Sequence, residues 1–515
     1  MKSLITKRQL LFVILVLLCG INPIYADTSK ELYVNLGNLS DLLPERERFK
    51  ITDLTLSGRL DVSDLEVIRQ MGRCHKSGDS RYNGHLRYLD LSDAEFVGDG
   101  TFEIYLGGYS FTMSQFNGGS GGHLFSDMES LHTIKLPNSM EIMGNSLFDG
   151  CENLTSVTLP KSLKTLPDWT LISSFEENDN LTSILIDDSN PYYSSDGSAL
   201  FDKYKTKMIF AVKSLRKYAI PSSVSEIIQE AFYNCRHLKT LVLPLRLKGE
   251  NVAIRFQDCD SLYSISVDEK NPYLCSDGSV LYNKDKSELV FVCHTVRKIS
   301  IPSTVTNIGD YAFYNCTDLT SIELPSGVTS LGNNAFQGCT NLSSLTLPSG
   351  VKEIGLSAFQ GCKSLTSVTI PSGVKYISSF TFRDCESLRF INLPSDLKYI
   401  GEEAFEGCTG LTSIYAFMEK PCEIDETTFE NETIINATLY VPKGSLLDYW
   451  DDNQWKKFMN IEEFDVTSIG SLNTNANDVQ EVSRYSDNGQ RLNTPTKGLN
   501  IVKYNNGTVK KIMVK

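Results

Sequence analysis

The sequence is poor in the side chains that most often do chemistry. It has six histidines in 515 residues: His75, His85, His123, His132, His237 and His294. None stands in H-E-x-x-H or another metal-ligand spacing. No C-x-x-C pair occurs, which removes the usual zinc-ribbon and dithiol signatures. Phosphate-loop and dinucleotide fingerprints are missing too. Acidic doublets such as Asp187-Asp188 and Asp451-Asp452 are isolated and read as solvated turns. His237, at a variable position, reads as exposed. The chain therefore reads as a non-enzyme without a cofactor, because catalysis needs groups that converge in one pocket. Basic charge is also short: 49 Lys and Arg against 63 Asp and Glu give −14, which excludes a nucleic-acid partner. The apolar run Leu10–Cys19 is too short to span a membrane, which takes about 20 residues. Preceded by Lys2, Lys7 and Arg8 and followed by Ala26, it reads as a signal peptide over 1–26. Cys19 offers lipid attachment as the alternative, against which the bulky Leu17 and Leu18 argue. No transmembrane span is expected in the mature chain, which reads as a monomer at the cell surface or outside the cell.

What the sequence has is a period. Cysteines recur every 23 residues at Cys316, Cys339, Cys362, Cys385 and Cys408, with Phe313, Phe336, Phe359, Phe382 and Phe405 in step. A period of this length means a solenoid, each unit burying its apolar face against its neighbours. The motif L-x-x-I-x-L, as in Leu319, Ile322 and Leu324, ends in strand-like alternation. Pro325, Pro348 and Pro371 suit strand ends. Twelve such motifs are expected to form strands, two before Leu131 and then at Leu131, Leu154, Leu181, Leu238, Leu262, Leu319, Leu342, Leu365, Leu388 and Leu411. The Ala-Phe pair should fill the interior as a stacked aromatic column. Cys151, Cys235, Cys259, Cys316, Cys339, Cys362, Cys385 and Cys408 read as a structural ladder of small buried thiols. The unit at Trp169–Asn180 lacks this set and must pack differently.

The string Ile301, Pro302, Val305, Ile308, Gly309, Ala312, Phe313, Cys316, Leu319, Ile322 resembles the BspA-type leucine-rich repeats of bacterial surface proteins. Ser378 and Thr381 depart from it, where glycine and alanine are usual, so that coil should be slightly distorted. The resemblance implies a β-rich leucine-rich-repeat solenoid: a parallel strand stack with a short helical or irregular convex side, capped at both ends, with a small C-terminal β appendage. It also implies adhesion to a host matrix or bacterial surface protein. The tail 485–515, with Gly489, Pro495, Gly498, Leu499 and Lys511-Ile512, resembles the sorting domain of type IX secretion cargo in Bacteroidetes, a small β-sandwich. The segment Ala437–Pro442 with its downstream aromatics resembles the end of the repeats in surface proteins of that group.

The expected organisation follows. Residues 27–130 form an N-terminal cap, with a helix at Val62–Met71 and a loop at Gly107–Gly122. Repeats fill 131–432, a C-terminal cap spans 433–465, a linker 466–484, and the tail 485–515. Two insertions, 190–221 and 271–302, align without a gap at an offset of 81 residues. Each reads N-P-Y-x-x-S-D-G-S-x-L; Ala199–Phe201 and Met208–Phe210 should pair as a hairpin across Asp202–Lys207. Cys275 and Cys293 occur only in the second copy, so they either form a disulfide or stay two unrelated thiols.

The outward strand positions form the candidate binding face: Ser321, Ser344, Ser367, Phe390 and Ser413 in one column, Glu323, Thr346, Thr369, Asn392 and Tyr415 in the other. Phe390, Asn392 and Tyr415 depart toward residue types that dominate binding energy. A rival reading is glycan binding in a surface uptake system, using aromatic residues of the N-terminal cap or Trp450 and Trp455.

Overall fold

The computed structural model describes residues 28–73, 84–97, 101–106, 109–112, 123–166, 170–249, 252–256, 258–466, 481–486, 491–492, 494, 497–504 and 509–514. The expected signal peptide, 1–26, lies outside them. The chain forms two compact units, one from 1–216 and 226–237, the other from 217–225 and 238–515.

Both units are stacks of three-sided coils. The first side carries the expected parallel strands. In the first unit, Ser29–Asn35, Asp53–Leu60, Tyr88–Phe96, Thr133–Lys135, Ser156–Leu159 and Ser183–Ile186 make one parallel sheet. In the second unit the run Ser367–Thr369, Phe390–Leu393, Ser413–Ala416, Thr438–Pro442 and Asn460–Phe464 does the same. All twelve motifs are strands, and Ser29–Asn35 and Asn460–Phe464 lengthen the stacks beyond them. The cause is plain at Ser321–Glu323: Ile322 is buried between two exposed neighbours, the period of a half-buried strand.

The second side was not legible as a strand. Between Val and Ile of the V-x-x-I string, two-residue strands form: Asn307–Ile308, Ser330–Leu331 and Glu353–Ile354, then Tyr376–Ile377, Tyr399–Ile400 and Glu423–Ile424. The third side is the expected short helical or irregular one, built mostly of turns, with the short helix Thr170–Ser174 and the helical turn Ala253–Phe256 in two coils. The residue before each Ala/Thr-Phe pair is left-handed, at Tyr311, Asn334, Ser357, Phe380 and Glu403. Alternate N–H groups there donate to the next coil, as Tyr311 to Asn333, Phe313 to Ala335 and Asn315 to Gln337. A turn is thus sewn to its neighbour as a strand would be, which pairs these backbone groups across the coils.

Inside, the phenylalanines stack. Phe313, Phe336, Phe359, Phe382, Phe405 and Phe429 follow at centroid spacings of 4.7, 5.5, 5.4, 5.4 and 5.0 Å, with planes within 12°. In the first unit Phe125, Phe148 and Phe175 stack at 5.9 and 5.4 Å. The column of the second unit ends edge-on, Phe429 against Trp455 and Phe458 at 60° and 77°. Trp455 is fully buried and donates its indole N–H to the Cys422 carbonyl at 2.8 Å. The helix Leu446–Asp451 and the single turn Trp455–Lys457 carry this cover.

In the first unit, the helix Val62–Gly72 is held by Asp64, whose carboxylate accepts from the N–H groups of Gly37, Leu39 and Asp61. Part of the expected loop 107–122 is a strand, Tyr109–Thr112, paired antiparallel with Thr101–Leu106. The tail makes a four-stranded antiparallel sheet of Glu481–Ser486, Arg491–Leu492, Gly498–Tyr504 and Val509–Val514, and it starts inside the stretch expected as linker.

Candidate interaction surface

Each insertion is a three-stranded antiparallel sheet rather than a two-stranded hairpin. Ala199 faces Ala211, and Leu200 faces Phe210, as expected; the strand Tyr193–Ser195 adds itself to the other edge of Ala199–Asp202. The second copy repeats this with Leu274–Ser276, Val280–Asn283 and Glu288–Val292. The N-P-Y motif has a mechanical reading. Asn271 is fully buried; its amide donates to the Pro244 and Leu247 carbonyls and its oxygen accepts from Tyr273 and Leu274. Asn190 makes the equivalent four bonds in the first unit. One asparagine thus clamps each inserted sheet to its stack. The Gly278 turn, at φ +104°, lets the chain bridge back to Ile265.

That third strand removes the disulfide. Cys275 faces Tyr282, and Tyr282 faces Leu289, so Cys293 lies two strands away and four residues farther along. The offsets are about 10 Å across and about 13 Å along, far beyond a bridge. Both cysteines are free.

The cysteine ladder is buried, and it is more than filler. The thiols of Cys151, Cys339, Cys362, Cys385 and Cys408 donate to the phenylalanine carbonyl of the preceding coil at 2.9–3.2 Å. In the divergent unit, Asn178 takes this slot and donates to Phe148 and Cys151 carbonyls, while Phe175 joins the column. Burial pushes the Cys362 and Cys408 thiols up to about 12 and those of Cys339 and Cys385 well above their usual range.

The Ser378 coil is distorted as expected. Gly309, Gly332, Gly355 and Gly401 pass so close to the preceding coil that an added Cβ would stand 2.5–3.0 Å from its backbone. Ser378 carries that Cβ. The second-side ladder breaks between Glu353–Ile354 and Tyr376–Ile377, and the Ser378 hydroxyl bonds to the Ile354 carbonyl instead. Thr381 closes the turn by donating to the Ser378 carbonyl.

On the first side, Ser321, Glu323, Ser344, Thr346 and Thr369 are exposed, and Ser367, Phe390, Ser413 and Tyr415 are half-buried. Asn392 is not an outward group: it is 8 % exposed. It stands in register between Thr369 and Tyr415, close enough for the tyrosine to shade it. Tyr415 stacks on Tyr440 at 4.6 Å, and Phe464 meets both Tyr415 and Phe417 edge-on. The aromatic patch therefore runs further than the two columns read from the sequence. The period had ended by Tyr440 and Phe464, so only register could have found them. Trp450 is half-exposed, whereas Trp455 is buried and unavailable to a glycan.

Among the described residues no group of three His, Cys, Asp or Glu could hold a metal ion. No helix among them is long and apolar enough to cross a membrane. The string Gly118-Gly119-Ser120-Gly121-Gly122 has the letters G-x-S-x-G without an apolar strand before it, and lies outside the described residues.

Stacked parallel rungs with an inward aromatic column define a leucine-rich-repeat solenoid scaffold. The chain belongs to the family described as BspA type Leucine rich repeat region (6 copies), whose model matches residues 121–201, 203–276, 286–412 and 375–479, more than half of the chain. A search of curated proteins finds no match. Among solved structures it is similar to a leucine-rich repeat protein from Eubacterium ventriosum (23 % identity, TM-score 0.39, 55 % of this chain and 78 % of that one). It is also similar to a leucine rich cell surface protein from Faecalibacterium prausnitzii (21 %, 0.42, 65 % and 89 %) and a leucine-rich repeat protein from Bacteroides ovatus (22 %, 0.27, 62 % and 94 %).

Proposed function

We propose that the chain is an exported, non-enzymatic binding protein that holds a host matrix or bacterial surface protein against its first side. The observation that carries this reading is the aromatic patch of Tyr415, Tyr440, Phe417 and Phe464, with Tyr415 and Tyr440 in register, beside the strand that carries Phe390. Half-exposed tyrosine and phenylalanine on a rigid sheet supply contact area at low entropic cost, and they are the residues that concentrate binding energy. The polar columns beside them would form the rim, since a stable interface takes about 800 Å² from each partner. The leader 1–26 and the tail 485–515 fit export and sorting, with the chain acting as a monomer.

Surface plasmon resonance against immobilised fibronectin, laminin and collagen, together with adhesion to whole bacterial cells, tests the reading. The double variant Tyr415→Ala, Tyr440→Ala should lose at least tenfold in affinity, and Ser321→Ala with Ser344→Ala should lose little. Equal affinity for wild type and the tyrosine variant would sink it. Fractionating cells and medium with and without residues 485–515 tests the sorting role.

A further inference from the structure

The second unit holds a trough of about 1350 Å³ away from the first-side patch. Its floor is the second side of the stack, where the outward column Glu288, Asn307, Ser330, Glu353 and Tyr376 follows the coils. One wall is the inserted sheet with Asn283, Lys284 and Asp285; Tyr273, beside the asparagine clamp, lines the trough at its rim. Tyr273 and Tyr376 are 46 % and 57 % exposed, so both rings offer a face to solvent. Gly309, Gly332 and Gly355 lie on the floor and raise no side chain into it.

We propose that this trough binds a neutral, hydroxyl-rich polysaccharide chain lying across the coils between Tyr273 and Tyr376. Four features select that class. The charge is nearly balanced, Lys248, Lys284 and Lys352 against Asp285, Glu288, Asp310 and Glu353, which favours neither a polyanion nor a polycation. The amides and hydroxyls of the floor both donate and accept and its carboxylates accept, which suits hydroxyl groups that do both. The rungs recur every 4.7–4.9 Å or so, close to the length of one pyranose ring, so a repeating sugar meets a repeating floor. From Glu288 to Tyr376 is four rungs, roughly 19 Å, room for three or four rings.

An extended peptide fits less well. Strand addition needs a free sheet edge, and the floor from Glu288 to Glu353 is the face of a ladder already bonded coil to coil. Glu288 gives the site an anchor. It is half-buried, its carboxylate has no hydrogen-bond or ion-pair partner among the described residues, and burial, with Asp310 and Asp285 nearby, raises its pKa. A sugar hydroxyl donating to it would supply the missing bond.

The test is isothermal titration calorimetry of the full chain with neutral hexasaccharides of glucose, xylose, mannose and N-acetylglucosamine. At least one should bind. The double variant Tyr273→Ala, Tyr376→Ala should then weaken it by 20-fold or more. Glu288→Gln, which can still accept a hydrogen bond, should cost about threefold and Glu288→Ala more. Tyr415→Ala should leave sugar binding unchanged, which separates this site from the protein-binding patch. Thermal melting of each variant confirms folding, since both tyrosines are half-exposed. No binding to any of the four, or equal binding by the double tyrosine variant, overturns the proposal.

Discussion

At the scale of single residues, the thiols and His294 make the sharpest statements. Burial and a donated hydrogen bond hold the ladder cysteines protonated, and the thiolate is the reactive form. Of the eleven described cysteines only Cys275 is half-exposed. Brief iodoacetamide labelling of native protein at pH 8 should therefore modify Cys275 alone among them, and all of them after denaturation. A Cys275–Cys293 disulfide would leave both unlabelled until reduction. His294 sits at the position of Lys213 in the other insertion, and both are buried; Lys213 donates to the Glu176 carbonyl. Burial lowers the His294 pKa, partly opposed by Asp260. The unfolded chain then binds the extra proton more readily, so the neutral ring supports the fold above an ordinary pKa of about 6.5, and the support fades as pH falls through the lower folded value. Melting temperature should fall less between pH 7 and pH 5 in His294→Gln than in wild type. Parallel curves would refute this.

At the scale of elements, the inserted sheets hang on their asparagines. Asn271→Ala removes four bonds from a buried site and should cost about 3 kcal/mol. The loss should be local: trypsin cuts faster at Lys284 and Lys286, while circular dichroism of the stack is kept. Resistance equal to wild type would show that the strand pairing alone holds the sheet. The same elements show what the sequence could and could not tell. The first-side strands, the aromatic column and the odd Ser378 coil were legible because each leaves a periodic mark on side-chain type. The two-residue strands were hidden, since two outward residues in a row between Val and Ile make no alternation to count. The third strand of each insertion was hidden in Tyr193–Ser195 and Leu274–Ser276, too short and too polar to stand out, and it is what parts Cys275 from Cys293. The candidate site was legible in Phe390 and Tyr415 and invisible in Tyr440, which meets Tyr415 through register, and in Phe464, which meets Tyr415 edge-on.

At the scale of the whole molecule, stability is a sum of coil-to-coil terms, so a stack is most vulnerable at an uncovered end. Trp455→Ala should cost about 3–5 kcal/mol and bare Phe429. Hydrogen exchange should then speed up across the coils near Phe405 and Phe429 while those near Phe313 and Phe336 stay protected. Uniform acceleration would mean that the second unit unfolds all at once. The repeat has one more outcome, for inheritance. Because Phe336 meets Phe359 much as Phe382 meets Phe405, a deletion or duplication of one 23-codon block hands the next generation a shorter or longer ruler whose two finished ends are untouched. The length of that stack can then evolve by counting, without redesign of any contact.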